Sequence, residues 1–90
     1  MTFQSTTARN ISVSVGTGST AVLSVNSKRR DFSIVNDSAN VVYVNLNDTA
    51  VINTGIRLNA SGGFVSCDGY TGAVSAISGT AASDITVCEL

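Results

Sequence analysis

The chain contains no histidine, proline or tryptophan, and each absence narrows what the protein can do. Without histidine, the commonest general base of enzymes is missing, and neither a Ser–His nor a Cys–His nucleophile pair can be built. Without proline, edge strands lose one of their protections against pairing with other chains. We therefore expect a protein that is not an enzyme and whose strand edges are covered by other subunits.

Charge is also scarce, at 12% of the residues, which is about half of the usual share. The net charge of −1 predicts no general attraction to nucleic acid. The one basic cluster, Lys28 to Arg30, is most simply interpreted as a solvated turn before a strand, and the alternative is docking to an acidic partner. No apolar run approaches the ~20 residues that span a membrane, and no secretion signal is visible, so we expect no membrane contact and a cytoplasmic site of synthesis.

The two cysteines, Cys67 and Cys88, are expected to be reduced in a cytoplasm. A disulfide between them would require neighbouring strands with compatible geometry. Two thiols without histidine do not complete a familiar zinc site, and the turn at Asp68 offers too few carboxylates for calcium. The sequence therefore predicts no metal, no cofactor and no catalytic residue.

What the chain does have is a repeated strand pattern. Alternating apolar and polar residues recur in about eight short segments, separated by turns rich in Gly, Asn, Asp and Ser. Inward positions include Val74 and Ala76, and then Ile85 and Val87 near the end. This pattern predicts an all-β fold, a single small β-sandwich or β-barrel of antiparallel strands over residues 10–90. Residues 1–9 show no periodicity and are expected to form a flexible N-terminal arm.

Two local pairings are also predicted. The segments 30–36 and 41–46 are joined by Asp, Ser, Ala and Asn, which suggests a β-hairpin with Phe32, Ile34, Val42, Val44 and Leu46 inward. The strand around Ile11–Val15 is expected to pair with the next, in which Ala21, Leu23 and Val25 would share one face.

Candidate partner-binding residues are Phe3, Arg9, Tyr43 and Tyr70. Phe3, in the arm, either anchors on a neighbouring subunit or belongs to a frayed terminus. Tyr43 lies out of register with Val42 and Val44, so that it is either an outward anchor or a cross-strand packing residue. For Phe64, which precedes Val65 and lies on the opposite face, cross-strand packing is the favoured interpretation.

Five stretches carry a family resemblance over about residues 29–89. They are Arg30-Asp-Phe-Ser-Ile-Val-Asn-Asp-Ser, Val42-Tyr-Val, Gly55-Ile-Arg-Leu-Asn-Ala-Ser-Gly-Gly, Tyr70-Thr-Gly-Ala-Val-Ser-Ala-Ile-Ser and Ile85-Thr-Val-Cys-Glu. Together they resemble the small β-sandwich virion proteins of tailed bacteriophages, of the head decoration (cement) type.

The resemblance implies a structural role in the virion. Such a protein would bind the major capsid protein lattice on the outer surface of the assembled head, often as a homotrimer, and stabilise the head by bridging capsid subunits. The alternative is a tail- or fibre-associated module that recognises a host surface glycan through Tyr43 and Tyr70. The lack of tryptophan makes this alternative the weaker one.

Overall fold

The computed structural model describes residues 7–90, which form eight β-strands and no helix. The strands are β1 (Arg9–Val15), β2 (Thr20–Leu23), β3 (Asp31–Asn36), β4 (Val42–Asn45), β5 (Ile56–Leu58), β6 (Phe64–Asp68), β7 (Val74–Ser78) and β8 (Ser83–Glu89). All pairs are antiparallel, and the strands form two four-stranded sheets that pack as a small sandwich. The predicted all-β fold is confirmed.

Sheet A has the strand order β1-β8-β3-β6, and sheet B has the order β2-β7-β4-β5. Only one connection, from β4 to β5, joins consecutive strands within a sheet; every other connection crosses to the opposite sheet. The predicted hairpin of β3 with β4 is therefore wrong, and so is the predicted pairing of β1 with β2. Strands that face each other across a core show the same apolar alternation as strands that pair side by side, so alternation does not distinguish the two arrangements.

The inward faces of both sheets supply one core. β7 and β8 place the expected residues inward. In β2 the pairing register shifts between Ala21 and Leu23, so that Val22 and Leu23 are both buried while Val25 is 71% exposed, which corrects the predicted face. Leu46 lies beyond the end of β4 and is exposed, which is a further correction. The buried core residues are Val15, Val22, Leu23, Phe32, Ile34, Val42, Val44, Leu58, Val74, Ala76, Ile85 and Val87.

The turn after β3 is organised by Asn36, which is fully buried. Its amide nitrogen Nδ2 donates to the carbonyl oxygens of Asn40, Leu58 and Asn59 at 2.7, 3.1 and 3.2 Å. Its Oδ1 accepts bonds from the backbone N–H and the hydroxyl of Ser38 at 3.0 and 2.7 Å. This one side chain therefore links the connection between β3 and β4, which crosses between the sheets, to the end of β5.

A second crossing depends on close backbone contact at Gly63. A Cβ atom at Gly63 would meet the backbone nitrogen and oxygen of Asn59 and the carbonyl carbon of Leu58. Gly62, just before it, has a φ of 114°, a value that favours glycine. The glycine pair predicted as a turn is thus required by the geometry between β5 and β6.

Candidate interaction surface

The outer faces of the two sheets differ in whether the chain itself covers them. On sheet B, the outward residues Ser75 and Ile77 of β7 are nevertheless buried, as is the whole of β7. The cover is the segment 46–55, which connects β4 to β5. The Ser75 hydroxyl donates to the Asp48 carbonyl at 2.9 Å, and the backbone N–H of the buried Ala50 donates to the Ser19 hydroxyl at 2.7 Å. We call this outer side of sheet B the sealed face.

The outer side of sheet A has no such cover among the described residues, and we call it the open face. The strand registers align its side chains in rows across the sheet. One row runs Ser12, Thr86, Val35 and Phe64, and the adjacent row runs Asn10, Cys88, Ser33 and Ser66. The remaining outward strand positions are Ser14, Asp84, Asp31 and Asp68.

The centre of the open face is an open depression between β1, β8 and β3, of about 480 Å³. Val35 and Cys88 contribute half-buried apolar groups to its lining, and the surrounding side chains are mainly hydroxyls and an amide. On the edge strand β6, Phe64 is 71% exposed and lies directly opposite Val35. Phe64 lies on the second face, away from the inward Val65 and Cys67, and has Val35 as its cross-strand neighbour. Most of its side chain is nevertheless exposed, so the expected packing on that face is not seen.

The predicted contact residues occupy different parts of the molecule. Phe3 lies outside the described residues. Arg9 begins β1, and its side chain is 60% exposed and lies 3.5 Å from the Glu89 carboxylate. The predicted N-terminal arm included Arg9, which instead belongs to a strand. Residues 1–6 of that arm lie outside the described part of the chain.

The two predicted tyrosines are held by bonds within the chain. Tyr43 is half-buried at the edge of the sealed face, and its hydroxyl donates to Asn53 Oδ1 at 2.8 Å. Tyr70 packs against the core, and its hydroxyl donates to the Ala73 carbonyl at 2.9 Å. These two residues and Arg9 do not share a surface with Phe64 on the open face, and their role in binding stays a prediction.

Buried charge is the other feature that often marks a site, and here it belongs to Arg29 and Glu89. Arg29 Nε donates to Glu89 Oε2 at 2.7 Å, and the Arg29 side chain is fully buried. Its other nitrogens donate to the carbonyl oxygens of Ser24, Tyr70 and Gly72 at 2.6, 3.1 and 2.9 Å. Every nitrogen of the guanidinium is therefore engaged, and the pair ties the loop before β3 to β8 and to the turn before β7. The solvated-turn interpretation of the basic cluster is wrong for Arg29.

The charge of Glu89 is set by its neighbours. Burial alone would raise the pKa of the Glu89 carboxyl, but the hydrogen bond and positive charge of Arg29 outweigh it, with help from Asn26 and Arg9. The result is a pKa below the ordinary value. The sequence did contain a signal for this pair: Glu89 continues the inward alternation of Ile85 and Val87, and a buried carboxylate requires a cation.

The two thiols lie on opposite sides of sheet A. Cys67 is opposite Phe32 and packs against the core, whereas Cys88 is opposite Ser33 on the open face. Both are free, and this register keeps them from bonding to each other. Burial, and secondarily the charge of Asp31, raise the pKa of the Cys67 thiol.

The described part of the chain offers no group of three or more His, Cys, Asp or Glu side chains arranged to hold a metal ion. Among the same residues, no helix is long and apolar enough to cross a membrane. Comparisons with protein-family models, with curated proteins and with solved structures find no match for this chain.

Proposed function

We propose that the chain is a non-enzymatic structural protein of a phage virion, a decoration protein that binds the outer surface of the assembled head and stabilises it by bridging capsid subunits. The observation that carries the proposal is the asymmetry of the sandwich. One outer face is sealed by the chain's own segment 46–55, and the other presents Phe64, Val35 and a row of small polar side chains to solvent.

This asymmetry suits a protein that attaches to a larger body by one side. A solvent-exposed aromatic residue beside small polar groups is typical of the centre of a protein–protein interface, where aromatic residues contribute much of the affinity. The low content of charged residues has the same implication, because interface centres are depleted of charge. The family resemblance of residues 29–89 supplies the identity of the larger body, the major capsid protein lattice.

The stabilising mechanism is preferential binding. A protein that binds the assembled lattice and not its separated subunits stabilises the lattice by mass action, in proportion to the logarithm of its concentration over its Kd. Contacts that cross the boundary between two capsid subunits have this property, because the binding surface exists only after assembly. No chemical step and no cofactor are needed for this role.

The glycan-binding alternative has less support. It relied on outward tyrosines, and both tyrosine hydroxyls donate within the chain. Among residues 7–90, Phe64 is the one aromatic side chain on the open face, whereas sugar sites often use a pair of stacked aromatic side chains. We therefore place the protein on the head surface, after synthesis in the bacterial cytoplasm.

The test uses empty heads of the phage that encodes the chain, assembled without it. Purified protein is mixed with these heads, and we expect it to sediment with them and to raise their melting temperature. Separated capsid subunits serve as the control and should not bind. A failure to bind heads, together with binding to host cells or to isolated surface glycan, would overturn the proposal in favour of the alternative.

A further inference from the structure

We infer that the open face docks onto a protein surface that is basic at its rim and apolar at its centre. This inference rests on the proposed function, because it assigns the chemistry of the capsid site that the decoration protein covers. It is carried by the distribution of charge over the open face, which is a different observation from the asymmetry of the sandwich.

All the formal charges at outward positions in the strands of sheet A are negative. Asp31 on β3 and Asp68 on β6 are directly opposite each other, although like charges in that arrangement oppose pairing. At the other end of the face lies Asp84 on β8, and the backbone N–H of Asp37 donates to the Asp84 carbonyl at 3.2 Å. The basic residue nearest to these acidic residues in the sequence is Arg30, which directly precedes Asp31 and lies outside β3. Three of the six acidic residues in the chain thus lie at the two ends of one face, and the backbone of a fourth, Asp37, is bonded to that of Asp84.

Between the two acidic ends lies the apolar part of the face. Phe64 and Val35 form a cross-strand pair, and Phe64 leaves most of its ring in solvent although the domain gains nothing from that exposure. A matching partner would have an apolar patch that contacts this pair. It would also have Lys or Arg side chains opposite the two acidic ends of the face, so that both shape and charge are complementary.

The same distribution argues against a second copy of the chain as the occupant. If two open faces packed together, their acidic ends would lie close to each other. The outward strand positions of the two faces would supply no Lys or Arg to neutralise them. The sealed face is not a suitable partner either, because the segment 46–55 already covers its apolar residues. A basic partner of a different kind is the one occupant that the charges favour.

The test measures the binding of single variants to the empty heads described above. Phe64→Ser removes the exposed ring, and Asp84→Lys reverses one acidic end; both side chains are exposed, so both variants should fold. Val25→Ser and Asp48→Lys are matched controls, because Val25 is as exposed as Phe64 and Asp48 lies on the sealed side. Circular dichroism and the urea midpoint confirm that each variant is folded.

We expect Phe64→Ser to weaken binding by about 30-fold or more, as for a central interface residue, and Asp84→Lys by about 10-fold. Both controls should bind like the wild type. Raising the salt from about 50 mM to about 500 mM should weaken wild-type binding, and should weaken that of Asp84→Lys less, because one attractive charge is already gone.

The outcomes separate the two proposals. If the wild type binds heads but both open-face variants bind equally well, the inference fails and the proposed function stands. If the wild type does not bind heads at all, the function fails, and the inference fails with it. If the free protein is an oligomer in sedimentation runs and Phe64→Ser makes it a monomer, the occupant is a second copy and the inference is overturned.

Discussion

Replacement of Arg29 by alanine should be among the most damaging single changes in this domain. It removes the partner of the buried Glu89 carboxylate and leaves three carbonyl oxygens, those of Ser24, Tyr70 and Gly72, without their donors. Breaking a buried ion pair by removing one partner costs about 3–5 kcal/mol. A domain of this length has a total free energy of unfolding of about 5–13 kcal/mol, so the change removes a large part of it.

Two further variants locate the origin of this loss. Glu89→Gln keeps the shape and an oxygen that accepts from Arg29, so it should cost less, about 1–3 kcal/mol. Arg9→Ala removes the exposed member of the cluster and should cost about 0–1 kcal/mol. Urea unfolding at neutral pH, followed by far-UV circular dichroism, gives the three values. A loss of less than about 1 kcal/mol for Arg29→Ala would mean that the buried pair is as weak as a surface pair, contrary to this prediction.

The pH dependence provides an independent check. Because the folded-state pKa of Glu89 lies below its unfolded value, its contribution is complete above the unfolded pKa of about 4.3 and is lost as the pH falls through the folded pKa. The stability gap between the wild type and Glu89→Gln should therefore be largest near neutral pH and shrink on acidification. The other carboxylates titrate in both proteins and cancel from the gap. A gap that is constant down to about pH 3 contradicts this assignment.

Three more substitutions or reactions test other parts of the fold. Asn36→Ala removes the fully buried amide that donates to three carbonyl oxygens, of which that of Leu58 is buried, and should lower the free energy of unfolding by about 3 kcal/mol, against little change for the exposed Asn47→Ala; equal urea midpoints would show that the network is dispensable. Gly63→Ala should prevent stable folding because its Cβ meets backbone atoms, whereas Gly18→Ala, with open space around it, should melt near the wild-type temperature in calorimetry. Without reductant, peptide mapping should find no bond between the two cysteines, and a cross-linked peptide would contradict the register. Cys67 should react with iodoacetamide more slowly in the folded protein than in urea, because burial raises its pKa; equal rates would contradict the raised pKa.

Local patterns predicted the strands well because each strand turns one of its two sides to the core. The apolar residues Val74 and Ala76 in β7, and Ile85 and Val87 in β8, are spaced two apart, which requires only that a core exists on their side. The structure confirms that all four are inward. The same patterns carried no information on which strand lies next to which, since that depends on contacts between distant segments. The mistaken pairing of β3 with β4 arose from this limit, because a short polar linker suits a crossing between sheets as well as a hairpin.

The open face was harder to predict from sequence than the core. Phe64 was expected to pack, and its exposure became evident only from the register of β6 at the edge of sheet A. The sealing of sheet B was equally hidden, because the segment 46–55 has neither strand nor helix periodicity. By contrast, Asn36 and Glu89 did have a sequence signal, since each is a polar residue in line with inward apolar neighbours. Such a residue requires a buried partner, although the sequence does not identify it.

The position of β8 in the middle of sheet A has a consequence for how the protein folds. β1 and β3 have no contact with each other in the sheet and are joined only through β8, which comes last of the eight strands in the chain. β3 and β6 can pair without β8, but sheet A is not complete until β8 arrives, and β1 has to close a loop of some seventy residues to reach its partner. Such distant pairing slows folding, and the exposed edges of β1 and β3 have to remain soluble in the meantime. The mostly polar outward positions of these two strands keep the unfinished chain soluble as well as the finished one.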